Sequence, residues 1–255
     1  MSTKEKEYFG GNEISYYAET QCGKQPFAAS PYEYYLYAAN ATETITVANL
    51  KSYTVYAYQT AEAINISANG QDFVLTEGDS FQVENLDGVK IKLPAGARVL
   101  IAGTVETKIT ESSATATKYD DIKKVIKPWG HELWISDDHP NYALKQIAIK
   151  QGTKTSLQYH RFKRETNVLF SGTARLHFKT NDAAENDSVQ PADISTNDLN
   201  PVSSIDVMPE CLHRLEAMTD VLLYEVSTPH LDDVIRVSDD TARVDGRIDA
   251  EHVNR

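Results

Sequence analysis

The chain is poor in the residues that would mark several other classes of protein. It has only two cysteines among 255 residues, which excludes a disulfide-rich scaffold. No stretch approaches about 18 consecutive apolar residues, and residues 1–15 lack the apolar core of a signal peptide, so we expect no membrane partner and a cytoplasmic location. Acidic residues outnumber basic ones by 37 to 25, which argues against a nucleic-acid partner because phosphate backbones favour basic surfaces.

The residues that are present indicate an all-β protein. Hydrophobic residues make up 41% of the chain, as in a globular protein. Segments 44–59 and 63–103 are rich in valine, isoleucine, threonine and tyrosine, and turn dipeptides such as Asn-Gly and Asp-Gly interrupt them. This rhythm is typical of an antiparallel sandwich or barrel. The tyrosine-rich segment 31–39 fits either a strand or a short helix.

Composition also divides the chain into two halves. A polar stretch separates two β-rich segments, so we predict an N-terminal domain over 1–110, a linker over 111–121 and a C-terminal domain over 122–255. Segment 179–204 is acidic and rich in asparagine, serine and proline, and we expect a long protruding loop there.

The stretch SLQYHRFKRET, residues 156–166, concentrates the polar chemistry of the C-terminal half. It admits three interpretations, namely a metal site, an anion-binding surface or a charged strand edge. Side chains two residues apart on a strand share a face, so Gln158 and His160 point the same way. A returning strand brings Glu165 beside His160, and a third strand brings His213 within reach. Two imidazoles, a carboxylate and an amide oxygen suit a divalent metal: zinc, manganese, iron, cobalt or nickel.

The spacing of this motif resembles that of a known family. Gly152, Gln158, His160, Glu165 and Gly172 follow the pattern G-x5-Q-x-H-x4-E-x6-G. This resembles the first cupin motif, G-x5-H-x-H-x3-4-E-x6-G, with glutamine in place of the first histidine. The segment MPECLH stands where the second motif, P-x-G-x-x-H, is expected, although it lacks the glycine and is one residue shorter.

The closer resemblance is to the type II phosphomannose isomerase cupins, which also form the C-terminal part of mannose-1-phosphate guanylyltransferases. It rests on KPWGHELW (127–134), on residues 142–174, which contain SLQYHRFKRETNVLFSGTA, and on LLYEVSTPHLDDVIRVSDDTAR (222–243). The resemblance implies a cupin-type β-barrel, that is, a double-stranded β-helix or jelly roll. The β-rich but ligand-free N-terminal half then predicts a bicupin with a degenerate first barrel, with an unrelated β-sandwich as the alternative.

The resemblance also implies a function. It predicts a metal-dependent isomerase that interconverts mannose 6-phosphate and fructose 6-phosphate, with Gln158, His160, Glu165 and His213 as metal ligands. Lys145 and Arg243 match basic residues of the family and are candidates to bind the phosphate of the sugar. A homodimer is expected by analogy with other cupins.

Two other functions stay open because the chain departs from the family pattern. The family's EHW after the ligand glutamate is ETN here, and its terminal YGR is TAR. The alternatives are a non-catalytic cupin that binds a sugar or nucleotide sugar, and a cupin enzyme with dioxygenase or lyase chemistry on a small acid. Arg161 and Arg164 are interpreted as solvated turn charges, with the rim of a phosphate site as the alternative. The residues alone do not identify a general base.

Overall fold

The computed structural model describes residues 13–14, 18–22, 31–180, 193–201 and 203–252. The chain divides into two compact units. The first unit comprises Met1–Ser15, Pro31–Ile122 and His139–Tyr142, and the second unit comprises Tyr16–Ser30, Lys123–Asp138 and Ala143–Arg255.

Nearly all regular structure in the described residues is β-strand. The strands of the first half are β1 (Glu13–Ile14), β2 (Ala18–Cys22), β3 (Glu33–Ala38), β4 (Glu43–Ile45), β5 (Ser52–Gln59), β6 (Ile64–Ala68), β7 (Gln71–Leu75), β8 (Ser80–Glu84), β9 (Lys90–Leu93), β10 (Arg98–Thr104) and β11 (Ser113–Thr117). Those of the second half are β12 (Lys123–Lys127), β13 (Gly130–Ser136), β14 (Ala143–Ile149), β15 (Leu157–Tyr159), β16 (Glu165–Ser171), β17 (Ala174–Thr180), β18 (Ser195–Leu199), β19 (Ser204–Val207), β20 (Cys211–Ala217), β21 (Val221–Ser227) and β22 (Ile235–Ser238). Short 3-10 helices span Tyr119–Asp121 and Asp249–His252, and in the described part of the chain no helix has the length and apolar character needed to cross a membrane.

The first unit is built from two antiparallel sheets, with strand orders β1-β3-β10-β5-β8-β11 and β4-β9-β6-β7. The tyrosine-rich segment forms strand β3, not a helix. Strand β6 alternates buried and exposed residues, and the hairpin to β7 turns at Asn69 and Gly70, whose φ angles are 49° and 74°. Positive φ at both turn positions is what the Asn-Gly dipeptide favours, so the predicted hairpin forms here.

The core of the first unit is aromatic and aliphatic. The side chains of Tyr35, Tyr37, Tyr53 and Phe81 are buried in one cluster with leucine, isoleucine, valine and alanine residues from both sheets. Phe81 packs against Phe73 with ring centroids 4.9 Å apart. Apolar side chains therefore fill the space between the two sheets.

The second unit also has two sheets. Their orders are β12-β13-β14-β21-β16-β19-β2 and β18-β17-β20-β15-β22, and all neighbours are antiparallel except β19 and β2. A core of apolar residues, among them Trp129, Leu176, Ile205 and Leu223, lies between the sheets. The strands that carry the motif, β15, β16 and β20, belong to this unit.

The predicted all-β class is confirmed, and the boundaries within it can be compared with the strands. Residues 113–117 of the predicted linker form β11, which pairs with β8 of the first unit, so the division at 111–121 stays a prediction. In the predicted 179–204 loop, β18 pairs with β17, so this part is a strand and not a loop. Residues 181–192 and 202 of that loop lie outside the described residues.

Candidate metal centre

Three of the predicted metal ligands converge inside the second unit. His160 directly follows β15, Glu165 begins β16 and His213 lies in β20, and all three side chains are buried. Glu165 Oε2 lies 3.4 Å from His160 Nε2, and Glu165 Oε1 lies 3.2 Å from His213 Nε2. The three potential ligand atoms are within 4.8 Å of one another, which is close enough to share one ion.

The sheet geometry explains why residues distant in sequence meet. Gln158 of β15 stands directly opposite His213 of β20, so their side chains are neighbours on one face. The turn after His160 returns the chain at Glu165, and the Glu210 N–H donates to the His160 carbonyl at 2.6 Å. The motif glycine Gly172 has a φ of 82°, and an added Cβ would lie 2.0 Å from a backbone carbonyl oxygen, so only glycine fits.

Both histidines are oriented by backbone carbonyls. His160 Nδ1 donates to the carbonyl of Asp233, and His213 Nδ1 donates to the carbonyl of Cys211 at 3.0 Å. The lone pair of each ring is then on Nε2, which faces Glu165. His160 Nε2 is buried without a hydrogen-bond partner, and that is the state expected of a nitrogen prepared for a metal. The residues present therefore fit a divalent cation.

The Asp233 carboxylate holds the turn between His160 and Glu165 by hydrogen bonds. Its carboxylate accepts the backbone N–H groups of Arg161, Phe162 and Lys163 at 3.1, 2.6 and 3.0 Å. Burial would raise the pKa of Asp233, but these three hydrogen bonds lower it. Because the Asp233 carbonyl also holds His160, one residue positions both the ligand ring and the turn that follows it.

Gln158, the fourth predicted ligand, lines the same pocket as the other three. Its Oε1 accepts a hydrogen bond from Ser156 Oγ at 2.5 Å, which fixes the amide orientation and leaves a second lone pair. Cys211 is disulfide-bonded, so it offers no thiolate to this site.

Sequence reasoning missed Lys163. This residue lies in the turn between His160 and Glu165, yet its ammonium group is buried and donates to Glu165 Oε2, and it lies 2.8 Å from Glu225 Oε1. Burial would lower the pKa of Lys163, but the charges of Glu165 and Glu225 raise it. The family pattern HxxRxE has a basic residue at this position, and that was the available signal.

Lys163 belongs to a row of buried, alternating charges along the pocket. The row consists of Glu132, Lys145, Glu225, Lys163 and Glu165, which are 3% to 9% exposed. Lys145 Nζ lies 3.8 Å from Glu132 and 4.0 Å from Glu225, and Lys163 then bridges Glu225 to Glu165. Each buried charge has an opposite neighbour, which is the condition for keeping ions in a protein interior.

The row affects how the metal ligands ionise. Burial alone would raise the pKa of Glu165, but the charge of the Lys163 ammonium group holds that pKa well below its usual range. Burial lowers the pKa of His160. A carboxylate beside a neutral imidazole is the protonation state in which both can bind a metal.

The departure from the family pattern at ETN has a structural consequence. Asn167, which stands where the family has tryptophan, is buried and donates from Nδ2 to Glu165 Oε1 at 3.0 Å. It therefore orients the carboxylate of the candidate ligand.

The two predicted phosphate-binding residues line the pocket at different depths. Lys145 lies in the ionic row, and its ammonium group sits over the Trp134 ring at 4.3 Å. Arg243 follows β22 and forms ion pairs with Asp239 at 2.6 Å and Glu251 at 3.3 Å. The structure thus brings both residues to one cavity, where both already have acidic partners.

The interpretation of the basic turn requires a correction. Arg161 is exposed, as expected, but Arg164 is buried and pairs with Asp206 through two contacts of 3.1 and 2.6 Å. The prediction that Arg164 is a solvated turn charge is wrong, because β19 supplies a carboxylate that the local sequence does not show. The backbone N–H groups of the turn bind Asp233 and are not free to bind a substrate anion.

The metal centre, the ionic row and Arg243 line one pocket of about 920 Å³ of empty space, including its mouth. Apolar residues, among them Ile205 and Leu223, form part of its wall. Arg236 and Arg247 add positive charge to the lining near Arg243. A buried metal-ligand set in a pocket whose lining has more basic than acidic residues suits a small, anionic ligand.

The second half of the chain is similar to known proteins. Residues 114–239, just under half of the chain, match the family model of the mannose-6-phosphate isomerase C-terminal domain. The chain is 30% identical over 125 residues to mannose-1-phosphate guanylyltransferase RfbM of Salmonella typhimurium, and the match covers 47% of this chain and 23% of that protein. The chain therefore spans less than a quarter of that relative.

Solved structures show the same fold over more of the chain. The oxalate decarboxylase of Lactobacillus farciminis in its formate complex aligns with a TM-score of 0.57 and 11% identity, covering 80% of this chain and 78% of that one. A variant of salicylate 1,2-dioxygenase from Pseudoaminobacter salicylatoxidans aligns with a TM-score of 0.55 and 11% identity, covering 78% and 72%. At such identities the likeness concerns the fold alone.

These findings show that the chain has a cupin-type fold. More particularly, its second half resembles the cupin domain of the type II mannose-6-phosphate isomerases, and that prediction is confirmed, as is the bicupin-type, all-β fold. The metal, the substrate, the residue roles, the homodimer and the cytoplasmic location stay predictions.

Proposed function

We propose that the second unit is a metal-dependent aldose–ketose isomerase that acts on mannose 6-phosphate and fructose 6-phosphate. The observation that carries this proposal is the buried group of His160, Glu165 and His213 at the base of a pocket with cationic residues in its wall. The match to the isomerase family model over 114–239 supports the choice of substrate.

The proposed metal ligands are Gln158, His160, Glu165 and His213. This set of two imidazoles, one carboxylate and one amide suits zinc, manganese, iron, cobalt or nickel. Bound there, the ion would act as a Lewis acid on the carbonyl oxygen of the sugar. Asp233 and Asn167 hold the ligands in place, through His160 and Glu165 respectively.

The phosphate of the sugar is proposed to bind at Arg243, with Lys145 as the second cation from the inner wall. Arg236 supports this arrangement because it lines the same pocket and its buried Nε has no hydrogen-bond acceptor among the described residues. Guanidinium groups match the geometry of phosphate oxygens better than ammonium groups do.

The proposal is tested with a coupled isomerase assay on the metal-loaded chain. Turnover of mannose 6-phosphate is expected, with loss of activity after chelation and in the His160→Ala variant. His177→Ala is the matched control, since His177 pairs with Glu216 and is not among the pocket residues, and it is expected to keep full activity. A chain that binds metal but turns over no hexose phosphate would contradict the proposal and favour a sugar-binding role without catalysis.

A further inference from the structure

We infer that Glu225 is the general base of the proposed isomerase, an assignment that rests on the proposed function. Glu225 lies in β21, between β14 and β16, and stands opposite Lys145 on one side and Asn167 on the other. Its side chain is buried and lines the pocket that contains the metal centre. It is therefore an inward-facing carboxylate on a central strand, where its position is rigidly held.

Glu225 lies beside the metal centre without belonging to it. The Lys163 ammonium group separates the two, since it lies 2.8 Å from Glu225 Oε1 and also donates to Glu165 Oε2. An aldose whose carbonyl oxygen, O1, reaches the metal centre would have its C2 two bonds away from that oxygen. Because Lys163 Nζ contacts both Glu165 Oε2 and Glu225 Oε1, the Glu225 carboxylate is one side chain away from the candidate metal ligand, and we place that carbon beside it.

Other acidic groups of the pocket are less suited to the task. Glu165 is occupied as a candidate ligand. Glu132 accepts a hydrogen bond from Trp134 Nε1 at 2.7 Å, which ties its carboxylate to the pocket wall, and Asp232 is exposed to solvent. Glu225, in contrast, has the Lys163 ammonium group 2.8 Å from Oε1, and an ionised carboxylate offers about four lone-pair sites. It retains a lone pair for a proton of the substrate.

His252 is the rival base, because its ring also lines the pocket. It packs edge-on against Trp134 with ring centroids 5.1 Å apart, in the short helix Asp249–His252. The helix belongs to the C-terminal segment and not to a central strand. The experiment therefore compares both residues.

The proposed step conserves atoms and electrons. Glu225 takes the C2 proton of the aldose, and the electron pair of the broken C–H bond forms the C1–C2 double bond of an enediolate while the carbonyl electrons move to O1. The carboxylic acid then returns the proton to C1. O1 gains a proton as O2 loses one, so C2 becomes the carbonyl, and no oxidant or reductant is required.

The test uses the full, metal-loaded chain with mannose 6-phosphate in D2O. In the wild type, NMR should show deuterium entering C2 of the aldose and C1 of the ketose. Glu225→Gln is expected to lower kcat by about 10²–10⁴-fold and to abolish this exchange. Metal content and KM should change little, because Glu225 is neither a ligand nor a phosphate-binding group.

Three further variants test whether a loss of exchange is specific to the Glu225 carboxylate. Asp206→Asn is the matched control, since Asp206 is another buried carboxylate paired with a buried cation, Arg164, but is not among the pocket residues, and it should keep its exchange activity. Glu225→Asp keeps the charge and should restore part of the rate, even if the glutamine variant does not fold. His252→Asn should retain exchange.

The contrary outcomes distinguish failure of the proposed function from failure of the base assignment. A wild type that turns over no hexose phosphate removes the proposed function and the base with it. A wild type that is active, together with a Glu225→Gln variant that still exchanges C2, removes the base assignment alone. Loss of exchange in His252→Asn instead, or loss of bound metal in Glu225→Gln, also overturns the assignment.

Discussion

The two units build the same kind of paired sheets and fill them differently. In the first unit, tyrosine, phenylalanine and aliphatic side chains pack the interior. In the second, a row of alternating charges from Glu132 to Glu165 lines a pocket between the sheets. Apolar filling stabilises a barrel directly, whereas a hollow interior needs each buried charge paired with an opposite one.

The comparison shows how one architecture supports two roles. Small closed sheets are filled by side chains or enclose a ligand, according to which residues point inward. In the described residues, the one group of three clustered metal-binding side chains lies in the second unit. We therefore expect changes in the first unit to affect stability, and changes in the second to affect ligand binding.

The largest effect, on the free energy of unfolding, is expected from creating a cavity in the core of the first unit. Phe81→Ala removes a fully buried ring that packs on Phe73, and should reduce the free energy of unfolding by about 3–5 kcal/mol. Denaturant titration measures the loss. Metal affinity should stay at the wild-type value under conditions in which the variant is folded, and a variant that folds but no longer binds metal would break the division of roles.

A smaller effect, on metal affinity, is expected from removing the Asp233 carboxylate that holds the turn after His160. Asp233→Ala frees the turn that holds His160 and should weaken metal affinity by about 10–100-fold, as loss of a partner behind a ligand typically does. Isothermal titration with zinc or manganese measures this. Asp198→Ala is the control, because Asp198 pairs with Arg175 on the surface. Equal metal affinity in Asp233→Ala and the wild type would show that the hydrogen bonds of the Asp233 carboxylate do not position His160.

The smallest effect is expected at a structural carboxylate of the first unit. Asp79 is buried and accepts hydrogen bonds from Thr76, Lys118 and Tyr119, which outweigh the effect of burial and lower its pKa. A lowered pKa in the folded state contributes stability that is present above the unfolded value of about 3.9 and is lost as pH falls through the folded pKa.

Asp79→Asn should therefore cost about 1 kcal/mol at pH 7, and the difference from the wild type should narrow below about pH 4. Denaturant titrations at the two pH values measure it. A difference that widens in acid would mean that the charged form of Asp79 does not stabilise the fold.

Much of the candidate site could be predicted from the sequence because its residues are related by short spacings along the chain. The period-two relation of Gln158 and His160 and the return of the chain at Glu165 depend on neighbouring residues, and the structure places these side chains in one pocket with His213. The turn at Asn69 and Gly70 is local in the same way.

The remaining features depend on partners from distant strands. Lys163 and Arg164 are buried only because β21 and β19 supply Glu225 and Asp206, which no local pattern reveals. Strand β11 has alanine, serine and threonine only, so its composition resembled a linker although it pairs with β8.

The central claim is that the second unit holds one divalent metal ion between His160, Glu165 and His213. Its most direct test is titration of the metal-stripped chain with zinc and with manganese, in parallel with Glu165→Gln, in which the carboxylate is replaced by a nearly isosteric amide. The account predicts one binding site per chain in the wild type and an affinity at least about 100-fold lower in the variant, since even partners behind a ligand contribute that much. Equal binding by both proteins, or no binding by the wild type, would contradict it.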